Sequence, residues 1–191
     1  MLENLLLQSI STFTKLIRKR IKTYRESFLF LSQESLMTLL YIHSLICHDS
    51  KLIDRVFLDY PFMKQGGSRG KFDIYIDVGP GHYIEVKYIR PIASGRNPPF
   101  PQHRVILINY VIRLAFKTPT GSRKYLLLIA NREFITHISN KPGFPLHEET
   151  WYGKIRDLIV SITEENRITK ENRTYLDQKV KLQFLKHELA L

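Results

Sequence analysis

The sequence predicts a mixed α/β domain in which a β-sheet is flanked by helices, with further helices at both ends. Three observations carry this. Apolar residues recur at helical spacing through the first fifty positions. Two runs with a period of two then follow, separated by Gly79-Pro80-Gly81. A breaker-free stretch from Arg104 to Lys117 leads into the nearly all-apolar run Lys124 to Ala130, as expected of a helix feeding a buried strand. The 191 residues suffice for one domain with a sizeable core and fall short of two. That domain spans 1–191, with a helical N-terminal extension at 1–31, a core at about 32–138 and a helical C-terminal region at 150–191.

The elements follow in order. Between Glu3 and Lys22, Leu5, Leu6, Ser9, Phe13, Leu16 and Ile17 lie near helical spacing, which predicts an amphipathic helix packed on the core. A second helix starts behind Ser32, with Glu34 and Ser35 adding capping chemistry. It is expected to bury Leu36, Leu39, Leu40, His43 and Ile46 or Cys47, and to end near His48–Ser50. Arg55 to Tyr60 is a short strand stopped by Pro61. Lys64 to Gly70 is a glycine-rich loop without the ending of a phosphate-binding P-loop. Strands Lys71 to Val78 and His82 to Ile89 come next, then a proline-rich basic loop from Arg90 to Arg104. Beyond the buried strand, Phe134 to Ile138 is a further strand candidate and Pro142 to Thr150 a loop. Helices are expected at Trp151 to Thr163, anchored by Trp151 and Tyr152, and at Lys170 to Leu189.

Composition narrows the function. With 43% hydrophobic and 25% charged residues the chain reads as folded rather than disordered. No apolar stretch approaches the roughly 20 residues of a membrane span. The first 21 residues do not read as a secretory signal, because the basic cluster Lys15, Arg20 and Lys22 follows the apolar run. The single cysteine, Cys47, excludes an internal disulfide; it is expected as a buried thiol and fits a reducing cytoplasm. A net charge of +11 favours polyanions, with nucleic acid first and an anionic membrane surface second. An intracellular, nucleoid-associated protein is the expectation.

The hairpin concentrates the chemistry. With a turn symmetric about Pro80, Val78 faces His82, Ile76 faces Ile84, Ile74 faces Val86 and Phe72 faces Tyr88, giving one apolar face. The other face carries Asp73, Tyr75, Asp77, Tyr83, Glu85 and Lys87. In this register Asp73 lies opposite Lys87, and Asp73 and Glu85 are diagonal neighbours about 7 Å apart. Mg²⁺ takes oxygen ligands and needs only one or two carboxylates beside substrate phosphate, which Asp73 and Glu85 can supply. Lys87 would orient the attacking water or stabilise charge building on the phosphate. A cross-strand ion pair on a solvated sheet face is the plainer reading of the same residues.

Asp73, an eleven-residue gap, and Glu85-Val86-Lys87 behind Tyr83-Ile84 resemble the PD-(D/E)xK nuclease superfamily, the fold of restriction endonucleases, junction resolvases and several repair nucleases. The resemblance covers about residues 32 to 130 and implies a restriction-endonuclease-like mixed sheet. It maps the family's acids to Asp73 and Glu85 and its lysine to Lys87. It adds the Val86 carbonyl and the helix-borne Glu34 as metal ligands. The family's proline before the aspartate is absent, since Phe72 stands there.

The resemblance implies an Mg²⁺-dependent deoxyribonuclease, with Mn²⁺ as substitute, DNA as partner, a homodimer, no membrane and no small-molecule cofactor. The alternative is a non-catalytic DNA-binding module that keeps the fold. Arg69, Lys71, Arg90, Arg96 and Arg104 are the candidate phosphate contacts. Gln102 and His103 would begin the helix lining the site, and Tyr75 and Tyr83 either stack on bases or fill the sheet. Asp77 is an outer candidate, and His43 and His48 are too poorly spaced to form a metal pair.

Overall fold

The computed structural model describes residues 2–25, 32–63, 69–90, 100–139, 150–154, 170–175 and 177–189. Helix α1 (Leu2–Tyr24) buries Leu6, Ser9, Phe13 and Ile17, a stripe at three- and four-residue spacing. The stripe packs on α2 (Glu34–His48), where the rings of Phe13 and Tyr41 meet edge to face at 6.0 Å. The Tyr41 hydroxyl donates to the Leu6 carbonyl at 3.2 Å. A 3-10 turn (Ser50–Asp54) leads from α2 into the sheet.

Helix α2 turns a different face inward from the one its leucines suggest. Met37, Thr38, Tyr41, Ile42, Ser44 and Leu45 are buried, whereas Leu36, Leu39, His43 and Cys47 are exposed. The polar members of the buried face satisfy themselves locally. Ser44 donates to the Leu40 carbonyl at 2.8 Å and Thr38 to the Glu34 carbonyl at 3.0 Å. Burying them therefore strands no hydroxyl, and Tyr41 supplies the bulk that fills against α1. Cys47 is consequently an exposed thiol rather than a core one. Gln33, not Ser32, occupies the N-cap of α2, without a side-chain cap.

Six strands form one sheet in the order β1-β2-β3-β4-β6-β5. They are β1 (Val56–Met63), β2 (Arg69–Ile76), β3 (His82–Tyr88), β4 (Arg123–Asn131), β5 (Thr150–Lys154) and β6 (Lys179–Leu189). β1, β2 and β3 pair antiparallel, β3, β4 and β6 parallel, and β5 antiparallel to β6. The parallel step from β3 to β4 requires a crossover, which α3 (Phe100–Lys117) provides. β1 runs through Pro61 because it is an edge strand, where a missing N–H costs no ladder bond.

Three expected elements change type. Phe134 to Ile138 belongs to helix α4 (Arg132–Ser139), which buries Phe134, Ile135 and Ile138 and is opened by Asn131, whose side chain accepts from the Phe134 amide at 3.1 Å. Trp151 and Tyr152 stand in β5, not in a helix; 155–163 lies outside the described residues. The C-terminal stretch is a four-residue helix α5 (Lys170–Arg173) followed by β6. Its Lys179-Val-Lys-Leu-Gln-Phe184 segment alternates with a period of two, a strand signal that the mixed charges concealed.

The sheet carries a core on each face. On one side Leu6, Phe13, Tyr41 and Leu45 pack on Ile74, Ile84, Val86 and Leu127. On the other, Leu107, Ile108, Val111 and Phe134 pack on Tyr83, Leu126 and Leu128. Consecutive residues of β4 thus feed opposite layers, as expected of a strand buried on both faces. Among the described residues no helix is long and apolar enough to cross a membrane.

The hairpin register differs from a turn symmetric about Pro80. Ile74 pairs with Ile84, Tyr75 with Tyr83 and Ile76 with His82. The chain reverses over residues 77–81, with Gly79 and Gly81 at φ +59° and +75° and the Gly81 amide donating to the Val78 carbonyl. A two-residue shift keeps each side chain on its face and changes its partner, so continuing the register sets Asp73 across from Glu85. At Asp73 the alternation itself breaks. Pairing with β1 passes from Leu58–Ile74 to Tyr60–Phe72 in unchanged register, leaving out Asp59, at φ +52°, and Asp73 opposite it. Phe72 accordingly packs with Tyr83 on the α3 side, while Ile74 packs on the α1–α2 side.

Candidate functional site

Pairing between β2 and β3 stops at Ile74–Ile84, so the outer half of β3 has no ladder partner on that side. Two acidic side chains take its place. Asp73 accepts the Val86 amide at 2.7 Å, and Glu34, the first residue of α2, accepts the Tyr88 amide at 3.0 Å. These N–H groups would otherwise need another acceptor. The break at Asp73 and the start of α2 therefore deliver two carboxylates to the same strand end from opposite directions.

Glu85 and Lys87 project from that strand. Glu85 is wholly buried, with 0% of its surface exposed. Its partner is Arg113 of α3, whose Nη2 donates to Oε2 at 2.7 Å while Nε sits against Oε1 as a charge contact without hydrogen-bond direction. The same guanidinium donates to the Lys71 carbonyl at 3.3 Å and lies 4.4 Å from the Tyr110 ring. Lys87 Nζ donates to Glu34 Oε2 at 2.9 Å, and the Tyr110 hydroxyl donates to Glu34 Oε1 at 3.3 Å.

Burial, and next the negative charge of Asp73, push the Glu85 carboxyl well above the usual range against the pull of Arg113. Asp73 is raised by burial too, opposed by hydrogen bonds from Glu85 and the Val86 amide. Each carboxyl acts on the ionisation of the other, so the two titrate as a coupled pair. The Tyr110 phenol is raised by burial and by the three acids. His103 is lowered by burial and by the positive charge of Lys87, and its buried Nδ1 has no hydrogen-bond partner among the described residues.

Two facing carboxyls present hard oxygen donors, and Glu85 Oε1 is buried with only the charge contact to Arg113 Nε and no directed hydrogen bond. That donor set fits a divalent ion such as Mg²⁺, which needs one or two carboxylates and keeps waters. Among the described residues no group of three or more His, Cys, Asp or Glu is arranged to hold a metal. Glu34 is engaged by Lys87, Tyr88 and Tyr110, and Val86 faces Asp73 through its amide.

Glu34, Asp73, Glu85 and Lys87 thus stand together, linked directly or through Val86. Arg69, Lys71 and Arg90 are exposed, with Lys71 paired to Asp59 at 3.2 Å. Arg104 is only 5% exposed, because α3 starts at Phe100 and draws it inward; it is a buried residue rather than a loop cation reaching for phosphate. Arg96 lies outside the described residues. Gln102 is exposed on α3, and Asp77 is exposed and accepts the Tyr75 hydroxyl at 3.1 Å, away from the cluster. Tyr75 and Tyr83 fill the sheet face, their rings 4.8 Å apart and continuous with Tyr60 and Phe72. His43 and His48 are exposed; His48 bonds Thr12 at 2.8 Å.

Arg113 and Tyr110 are the site residues that the sequence reading overlooks. Their signal was faint: two polar positions three apart, interrupting the apolar pattern of Leu107, Val111 and Leu114 on one helix. No protein-family model, curated protein or solved structure matches the chain.

Proposed function

We propose that the chain is a divalent-metal-dependent nuclease of the PD-(D/E)xK superfamily, hydrolysing phosphodiester bonds in DNA in the restriction or the junction and repair manner. The observation that carries this reading is the pairing of the half-buried Asp73 with the wholly buried Glu85 beside Lys87, whose ammonium is held 2.9 Å from Glu34. Asp73 and Glu85 would hold the ion. Bound Mg²⁺, or Mn²⁺ in its place, supplies charge stabilisation on a phosphoryl oxygen and a water of lowered pKa. Lys87 would orient an attacking water or donate to the phosphate oxygen on which charge builds. Glu34 keeps the ammonium aimed, and Tyr110 keeps Glu34 from turning away. Two copies acting on two-fold symmetric DNA would cut both strands, so a homodimer belongs to the proposal.

The test is cleavage of plasmid, linear, junction and single-stranded DNA in Mg²⁺ or Mn²⁺, beside Asp73→Ala and Lys87→Ala. Cleavage by the wild type and its loss in both variants is expected. A wild type that cuts nothing, or variants that cut at its rate, refutes the catalytic reading. One observation favours a second reading. The Arg113 fork already neutralises Glu85, as a non-catalytic DNA-binding module would require. Salt-dependent DNA binding with no cleavage and no response to Mg²⁺ would select it.

A further inference from the structure

At the other end of the parallel strands a cavity of about 180 Å³ opens between the end of α3 and the first residues of β4 and β6. Arg123, Lys124, Lys179 and Lys181 line it, together with Ser122 and Phe116, and no Asp or Glu does. The arrangement follows from topology. β4 and β6 run parallel with Tyr125 beside Gln183, and both strands begin with basic residues, so the cations gather at one level. Arg123 has only a distant acid, Glu3 at 3.8 Å. Lys124, Lys179 and Lys181 make no ion pair among the described residues. Lys124 is half-buried, and that burial lowers its pKa with nothing to oppose it. Three lysines gathered without a carboxylate, beside an arginine whose one acid is 3.8 Å away, repel one another unless an anion joins them.

We propose that this pocket is a phosphate-binding site that takes a backbone phosphate of a polynucleotide at a distance from the carboxyl pair. Leu128 stands beside Lys87 in the register, and Arg123 is five residues further back along β4. At about 3.3 Å per residue that is roughly 16 Å, a span of several nucleotides along one strand. Beside the pocket Phe116 stacks on Tyr175 at 4.4 Å, and Lys117 lies 5.7 Å over the Tyr175 ring. Aromatic rings next to a cationic pocket are what a single strand uses. The proposal rests on the nuclease reading in one respect, that the anion is a polynucleotide.

The test is binding in EDTA, where no cleavage intervenes. A labelled 20-nucleotide single strand is titrated across salt with wild type, K179Q/K181Q and a charge-matched control on α1, K15Q/K19Q. The pocket variant is expected to bind about tenfold more weakly at physiological salt, with a salt slope lower by about 1–2, and K179R/K181R to restore binding. The control is expected to change affinity less than twofold. Millimolar pyrophosphate is expected to compete with the strand on wild type and not on K179Q/K181Q. An unchanged slope in the pocket variant, or an equal loss in the control, overturns the site. Pyrophosphate binding as tight as the oligonucleotide overturns its assignment to a polynucleotide. A protein that never cleaves and still loses binding in K179Q/K181Q refutes the nuclease reading alone. Cleavage with binding unchanged in that variant refutes the pocket alone.

Discussion

Replacing Arg113 with methionine removes the guanidinium and keeps most of its apolar stem. Glu85, with 0% exposure, is then left beside Asp73 with no counter-ion. Breaking a buried pair by removing one partner costs about 3–5 kcal/mol if the survivor stays charged. The carboxyl pair has a second option, which is to hold its proton more tightly. The folded pKa values of Glu85 and Asp73 are raised, so their ionisation opposes folding: stability is highest at acid pH and falls as pH rises past the unfolded carboxyl range. Proton uptake limits the loss to about 1.4 kcal/mol for each pH unit above the unfolded carboxyl pKa, up to the ceiling reached at the folded pKa, where the charged state takes over. R113M should therefore lose about 1 kcal/mol at pH 5 and about 3–4 kcal/mol at pH 8. For a chain of this size that is a melting-temperature drop of about 2–4 °C widening to about 6–15 °C. Thermal unfolding in EDTA at both pH values reads this directly. A loss of the same size at both values refutes the raised ionisation of the Asp73–Glu85 pair.

Glu85→Gln removes one ionisation and should flatten the pH dependence of stability between pH 5 and 8 while abolishing DNA cleavage; denaturant melts beside a cleavage assay check both. Leu127→Ala, at a wholly buried position of the central strand, should cost about 2–5 kcal/mol, measured by urea unfolding. Cys47 should react with a thiol reagent such as Ellman's in the folded state at a rate close to that of the unfolded chain, because it is exposed beside His43. Protection by a large factor would contradict the orientation of α2.

The parts of the fold that local pattern determines were legible. The hairpin strands, α1 and the strand at Lys124 to Ala130 follow from periodicity, and Asp73, Glu85 and Lys87 follow from their placement on one hairpin. What escaped depends on partners distant in sequence. α2 has apolar residues on both sides, and only the contact of Tyr41 with Phe13 chooses between them. β6 looks helical until β4 and β5 are present to pair with it. The hairpin register turned on two glycines in the left-handed region, which lengthen the turn beyond Pro80. Arg113 was hidden because an arginine in a helix is ordinarily a solvated residue, and its role depends on facing a buried acid on another element.

Asp73 and Glu34 hold the amides of Val86 and Tyr88 in place of a neighbouring strand. Those two amide protons are therefore spectroscopic reporters. The Val86 amide shift should track the charge on Asp73 without a substrate, and both exchange rates report whether the bonds hold. The same bonds tie local strand integrity to ionisation, so an alanine at either acid loosens the rim of the sheet as well as removing a functional group. Loss of activity in such a variant is interpretable only beside the exchange behaviour of its amide.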